Sequence, residues 1–157
     1  MELNGLLFSL NEETKEAVIT GRTAEALNEN GELLIPAKVV FDNVEYLVTE
    51  IGESAFDGDE DITALVVEEG VKTIRELAFN WCSSLKTVQL PASITTIENE
   101  VFHACAKLVS VVLPYPSAGY LVPFYRTVVP VSGYIRRYLQ IAVVEGVVGE
   151  IYKLLMP

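Results

Sequence analysis

Residues 51–73 read IGESAFDGDEDITALVVEEGVKT, residues 74–96 read IRELAFNWCSSLKTVQLPASITT, and residues 97–114 read IENEVFHACAKLVSVVLP. Laid one under another, they are one pattern repeated at a spacing of 23 residues. Ile51, Ile74 and Ile97 open it, Phe56, Phe79 and Phe102 share one register, and Ile62, Leu85 and Leu108 share the next. Leu65, Val88 and Val111 follow, then Val67, Leu90 and Leu113. A fixed period of this length predicts a solenoid, in which each coil stacks on its neighbours. Solenoids present extended surfaces, so the pattern points to binding before catalysis.

Within each coil the L-x-x-V-x-L spacing predicts a short strand whose alternate residues enter the core. Pro91 and Pro114 end that strand, because proline cannot donate to a continuing ladder. The Ile-x-x-x-(Ala/Val)-Phe stretch then returns the chain, and its spacing suits a helical or 3₁₀ turn with Phe at the centre. One coil cannot bury its apolar stripe alone; stacking does so.

The ends depart from the period, giving one domain of residues 1–157: a β cap over 1–50, three repeats over 51–114 and a carboxy-terminal cap over 115–157. GLLFSL (5–10) and EAVITG (16–21) are β-type runs, NENGE (28–32) is a turn, and Asp42-Asn43 between two β-rich runs predicts a hairpin. Ile35, Pro36 and Val39 align with Leu90, Pro91 and Ile94, so the cap holds a degenerate repeat. Beyond the repeats, RTVVP (126–130) predicts a last strand and SGYIRRYLQ (132–140) a short helix capped by Ser132. VVGEIYKLL (147–155) predicts a closing strand or helix. A solenoid needs such atypical terminal units to cover its last coil.

Half of the 157 residues are hydrophobic, which is ample for a core. The net charge of -11 argues against nucleic acid, whose phosphates need a basic surface, and disfavours an anionic membrane surface. Residues 1–70 carry 17 of the 22 acids against three bases, so the acidic surface lies in the amino-terminal half. No membrane insertion is expected, since no apolar run reaches the ~18 residues a spanning helix needs. MELNGLLFSL lacks the basic start and long apolar stretch of a secretory signal.

LKTVQLPASITTIENEVFHAC (85–105) resembles the leucine-rich repeat of the BspA-like type, which pairs an L-x-x-V-x-L-P strand with an I-G-x-x-A-F-x-x-C return. Ile51, Gly52, Ala55, Phe56, Ala78, Phe79, Cys82, Cys105, Pro91 and Pro114 match it. Arg75 and Glu98 stand where Gly52 does, Val101 replaces Ala78, and the first repeat has Asp59 for Cys and Glu68 for Pro. Pro130, Gly133 and Tyr138 resemble a closing V-P-x-G-x-x-x-x-Y unit of the same family, with one extra residue between Pro130 and Gly133. The resemblance implies a right-handed leucine-rich repeat solenoid, α/β or β-rich, with short strands in a curved parallel sheet. It also implies a bacterial protein that is secreted or displayed at the cell surface, where some relatives bind host matrix proteins. It carries no catalytic residues, so no enzyme activity, cofactor or metal is expected.

In such a solenoid the residues alternating with the core point outward from the strand face. They are Ala64, Thr87 and Ser110 in one column, and Val66, Gln89 and Val112 in the next. Val66, Thr87, Gln89, Ser110, Val112 and the lone tryptophan, Trp81, are the candidate partner-binding residues. The partner class is a protein, through an adhesion-type contact, or a glycan anchored on Trp81. A third reading is a structural spacer whose tail, with Tyr115, Tyr120, Tyr125, Tyr134, Tyr138 and Tyr152, assembles homo-oligomers or covers the last coil.

Three further features invite chemistry. Asp57, Asp59, Asp61 and Glu68 fall at positions 1, 3, 5 and 12 of a calcium loop, but Ile62 holds the position that needs glycine. The register sends Ile62 to the core, so an EF-hand is excluded; weak calcium binding by the acidic turn itself stays open. His103 aligns with Asp57 and Asn80, predicting an exposed turn, and has no second histidine or nucleophile motif beside it. Cys82 and Cys105 share one repeat position, as a ladder of small buried thiols or as a disulfide; the ladder is the expected arrangement.

Overall fold

The computed structural model describes residues 1–113 and the strand at 127–130. Each coil crosses two sheets. The first holds β4 (Glu32–Ile35), β7 (Ala64–Val67), β9 (Thr87–Gln89) and β11 (Ser110–Leu113), all parallel, with β12 (Thr127–Pro130) antiparallel at the end. The second takes β6 (Val44–Ile51), β8 (Thr73–Ile74) and β10 (Thr96–Ile97), again parallel. Ala64, Thr87 and Ser110 lie in register, as do Leu65, Val88 and Val111, so the sequence period is the pairing register. The fold is the expected leucine-rich repeat solenoid, in its β-rich form among the described residues.

The core lies between the two sheets. Leu65, Val88 and Val111 point in from one; Ile51, Ile74 and Ile97 point in from the other, and all six are buried. Phe56, Phe79 and Phe102 stack along the solenoid axis at centroid separations of 4.9 and 5.6 Å, with their rings nearly parallel. Each such burial contributes roughly 1.5–3 kcal/mol, and only a neighbouring coil can supply it.

The return segment is not helical. Alternate amides bond three residues back, as Ala55 N–H does to Gly52 O and Asp57 N–H to Ser54 O. The amides between them bond to the next coil, as Phe56 N–H does to Ala78 O and Phe79 N–H to Val101 O. This alternation needs left-handed residues four apart. Ser54, Leu77 and Glu100 have φ of 52°, 58° and 56°; Gly58, Trp81 and Ala104 have φ of 72°, 55° and 55°. Apolar spacing alone does not separate this stacked-turn path from a helical turn.

The cap is built on hairpins: β1 (Glu2–Leu3) with β2 (Leu6–Asn11), β2 with β3 (Glu16–Arg22), and β5 (Lys38–Phe41) with β6. Asp42 and Asn43 turn the last of these with φ of 49° and 63°, the geometry of a two-residue type I′ loop. β4 pairs with β7 so that Ile35 faces Val67, the register that aligns Ile35 with Leu90. The cap thus contains a coil, which follows its first hairpins. Its strand β3 passes so near the first repeat that a Cβ on Gly52 would sit 2.8 Å from Ile19 O.

At the same seam Asp59 departs from cysteine for a visible reason. Arg22 of the cap donates to it through Nε and Nη2, at 2.5 and 2.6 Å, with side-chain exposures of 10% and 12%. Hydrogen bonding to Asp59 raises the Arg22 pKa, against the opposing effect of burial. Asp59 Oδ1 also accepts the amides of Asp61 and Ile62. In later coils this position faces another repeat, and cysteine fills it.

RTVVP forms the predicted strand at Thr127–Pro130. The helix expected at 132–140, the closing element at 147–155, the Pro130–Gly133–Tyr138 unit as a whole and the tail tyrosines fall outside the described residues. Among the described residues no helix is long and apolar enough to cross a membrane.

Candidate interaction surface

Five of the six candidate residues share one face. Val66, Gln89, Ser110 and Val112 are half-buried and Thr87 is exposed, all on the outer side of the first sheet. The pairing extends both columns into the cap. Glu32 faces Ala64, and Leu34 faces Val66. Leu34 is 51% exposed, the most open apolar side chain of its column, and it was absent from the candidate set. The alignment of Ile35 with Leu90 carries the signal, since it puts Leu34 in the column of Gln89. The column Leu34, Val66, Gln89, Val112 is thus mainly apolar, and its neighbour Glu32, Ala64, Thr87, Ser110 is small and polar with one acid at the cap end.

Acids near this face are committed to structure. Glu68 Oε2 accepts Ala37 N–H at 2.9 Å, and Glu69 accepts the amides of Ala92 and Ser93 at 2.8 and 3.1 Å. These carboxylates staple adjacent coils. Asp59 is occupied by Arg22, which also reaches Asp61 at 3.2 Å, so the calcium-like spacing carries a guanidinium instead. Among the described residues no three His, Cys, Asp or Glu side chains are grouped to hold a metal ion.

Trp81 stands apart from the strand face, at a turn corner. It is 60% exposed and sits in left-handed backbone, where a residue with a Cβ costs about 1–2 kcal/mol. Its amide donates to His103 O at 2.9 Å, which pins the corner to the next coil. One residue earlier runs a polar ladder: Asn80 Nδ2 donates to Asp57 Oδ1 at 2.8 Å, and His103 Nδ1 lies 3.0 Å from Asn80 Oδ1. His103 is exposed, as its alignment predicts; its bond to Asn80 is a feature the alignment does not reveal.

The cysteines form the expected ladder of buried thiols and are not bonded to each other. Cys82 Sγ donates to Phe56 O and Cys105 Sγ to Phe79 O, both at 3.2 Å. Burial, and then the neighbouring Cys105 and Asp59, push the Cys82 thiol far above its usual range. A thiol held protonated in this way is a poor nucleophile.

Residues 42–119 match the BspA type leucine rich repeat region, in six copies. A leucine-rich repeat protein from Bacteroides ovatus is 26% identical and superposes with a TM-score of 0.63 over 72% of this chain and 29% of that one. One from Bacteroides capillosus is 27% identical, with a TM-score of 0.55 over 71% of this chain and 95% of that one. The T. pallidum leucine-rich repeat protein shares the fold at 22% identity, with a TM-score of 0.59 over 72% of this chain and 49% of that one. The chain therefore spans less than half the length of the B. ovatus and T. pallidum proteins. No curated protein sequence matches it.

Proposed function

We propose that this chain of BspA-type leucine-rich repeats is a non-enzymatic protein-interaction module, working in adhesion at a bacterial surface or outside the cell. The observation that carries the reading is the mainly apolar column Leu34, Val66, Gln89, Val112, solvent-accessible across four parallel strands while the alternating column Leu33, Leu65, Val88, Val111 is buried. The family resemblance supplies the expected compartment.

The size of the face sets the expected strength. Four strands at ~4.8 Å spacing and four residues at ~3.3 Å rise give a flat patch of roughly 250 Å². A stable partner interface takes about 800 Å² per side. A single copy therefore binds weakly, and display in several copies supplies avidity.

The test is solid-phase binding of the chain, as monomer and as a multivalent bead-coupled form, to a panel of immobilised host matrix proteins. The multivalent form should bind at least one of them. The pair Gln89→Arg and Val112→Asp should weaken that binding by about tenfold or more, since a desolvated charge opposes docking. Unchanged binding by the double variant would show that the strand face is not the site.

A further inference from the structure

We infer that Trp81, with the Asp57–Asn80–His103 ladder, forms a second binding site, a subsite for a pyranose sugar at the turn corner of the solenoid. It is independent of the strand-face reading.

The register makes Trp81 an outlier. Its equivalents are Gly58 and Ala104, both small, in left-handed backbone. Trp81 is absent from the side chains packed against the core, and 60% of it faces solvent. The indole therefore gains little burial to offset an unfavourable backbone. The position beside it is open: a Cβ built on Gly58 meets nothing within 4 Å. A rigid corner thus carries one exposed aromatic with free space next to it along the coil axis. Its rigidity comes from the bonds of Asn80 N–H to Leu77 O, Trp81 N–H to His103 O and Cys82 N–H to Phe79 O.

The ladder supplies directed polar atoms. A carboxylate only accepts, so Asn80 must turn its amide nitrogen to Asp57. Its Oδ1 then faces His103, so Nδ1 carries the proton of that bond. That leaves Asp57 Oδ2 as an acceptor and His103 Nε2 as an open ring nitrogen, neither with a hydrogen-bond partner among the described residues, on two exposed side chains. Hydroxyl groups, which both donate and accept, match both atoms. A pyranose offers an apolar face of C–H bonds for an indole and hydroxyls around its rim. A protein hot spot instead surrounds its tryptophan with other apolar groups. Here the adjoining repeat positions are Asp57, Asn80, His103, Gly58 and Ala104, which favours the sugar.

Trp81 is the only tryptophan, so intrinsic emission reports on this corner alone. The experiment titrates the full chain with β-linked oligosaccharides of glucose, galactose and N-acetylglucosamine to millimolar concentration. A saturable change in Trp81 emission is expected with at least one. Gly58→Leu, which fills the open space at the cost of left-handed strain at φ 72°, should lower that affinity by about tenfold, the worth of one stacking contact. His103→Ala, read by the same emission, should weaken it too. Melting curves confirm that each variant folds. The Gln89→Arg, Val112→Asp pair should leave sugar binding unchanged, which separates this site from the strand face. No emission change with any of the three sugars would overturn the assignment. So would a response to sugar that Gly58→Leu leaves intact, or quenching by a protein partner in place of a sugar.

Discussion

Arg22→Met should destabilise the chain through a single contact between cap and repeats. The substitution removes donors that reach Asp59 at 2.5 and 2.6 Å and leaves a carboxylate whose side chain is 12% exposed. Breaking a buried ion pair on one side costs roughly 3–5 kcal/mol. Asp59 keeps the amides of Asp61 and Ile62, at 3.0 and 3.3 Å, and an edge of solvent, which places the loss near the lower end, about 3 kcal/mol. For a chain of this length that is a fall in Tm of roughly 6–12 °C. Arg22→Met combined with Asp59→Cys should recover most of it, because an apolar pair replaces the stranded charge and restores the residue used in later coils. Differential scanning calorimetry of the two variants decides the matter. A fall below about 2 °C for Arg22→Met, or a double variant no better than the single, would refute the seam as described.

Phe79→Ala removes the middle ring of the stack and should cost about 3–5 kcal/mol in urea unfolding, the largest loss of any single truncation proposed. Trp81→Gly should do the reverse and raise stability by about 1 kcal/mol, since it relieves left-handed strain at a side chain outside the core; a loss of comparable size would mean that the indole is packed. Stability should also fall in alkali. The buried Cys82 thiol stays protonated in the native state while the unfolded thiol ionises near its ordinary value of 9.0, so unfolding releases a proton above that pH. The resulting slope approaches about 1.4 kcal/mol per pH unit from Cys82. Below pH 9 the contribution is fully present. Urea titrations at pH 8, 9 and 10 in reductant should show a shallower slope for Cys82→Ala than for the wild type, and parallel slopes would contradict the burial.

Periodicity exposed the strands, their register and the core columns, because in a solenoid the pairing offset equals the repeat length. That same logic identified the shared cysteine position and sent Ile62 inward. It could not reveal the left-handed corners. Leu77, Glu100 and Trp81 are not residues that advertise such backbone; stacking of amides onto the next coil imposes it. Nor could it pair Arg22 with Asp59, since the partners lie in different units and share no repeat position. For the candidate site, the outward columns were legible by alternation. Leu34 was one inference away, through the degenerate repeat in the cap. Trp81, aligned with Gly58 and Ala104 in the return segment, lies at a corner, apart from positions 64–66, 87–89 and 110–112 on the strands.

The most direct test of the strand face is a methyl spectrum of isotope-labelled chain titrated with a bound matrix protein. Leu34, Val66 and Val112 should shift or broaden, while Val40 and Leu47, as exposed as Leu34 but on the other sheet, should not. Perturbation of Val40 and Leu47 with silence at Leu34, Val66 and Val112 would contradict the account.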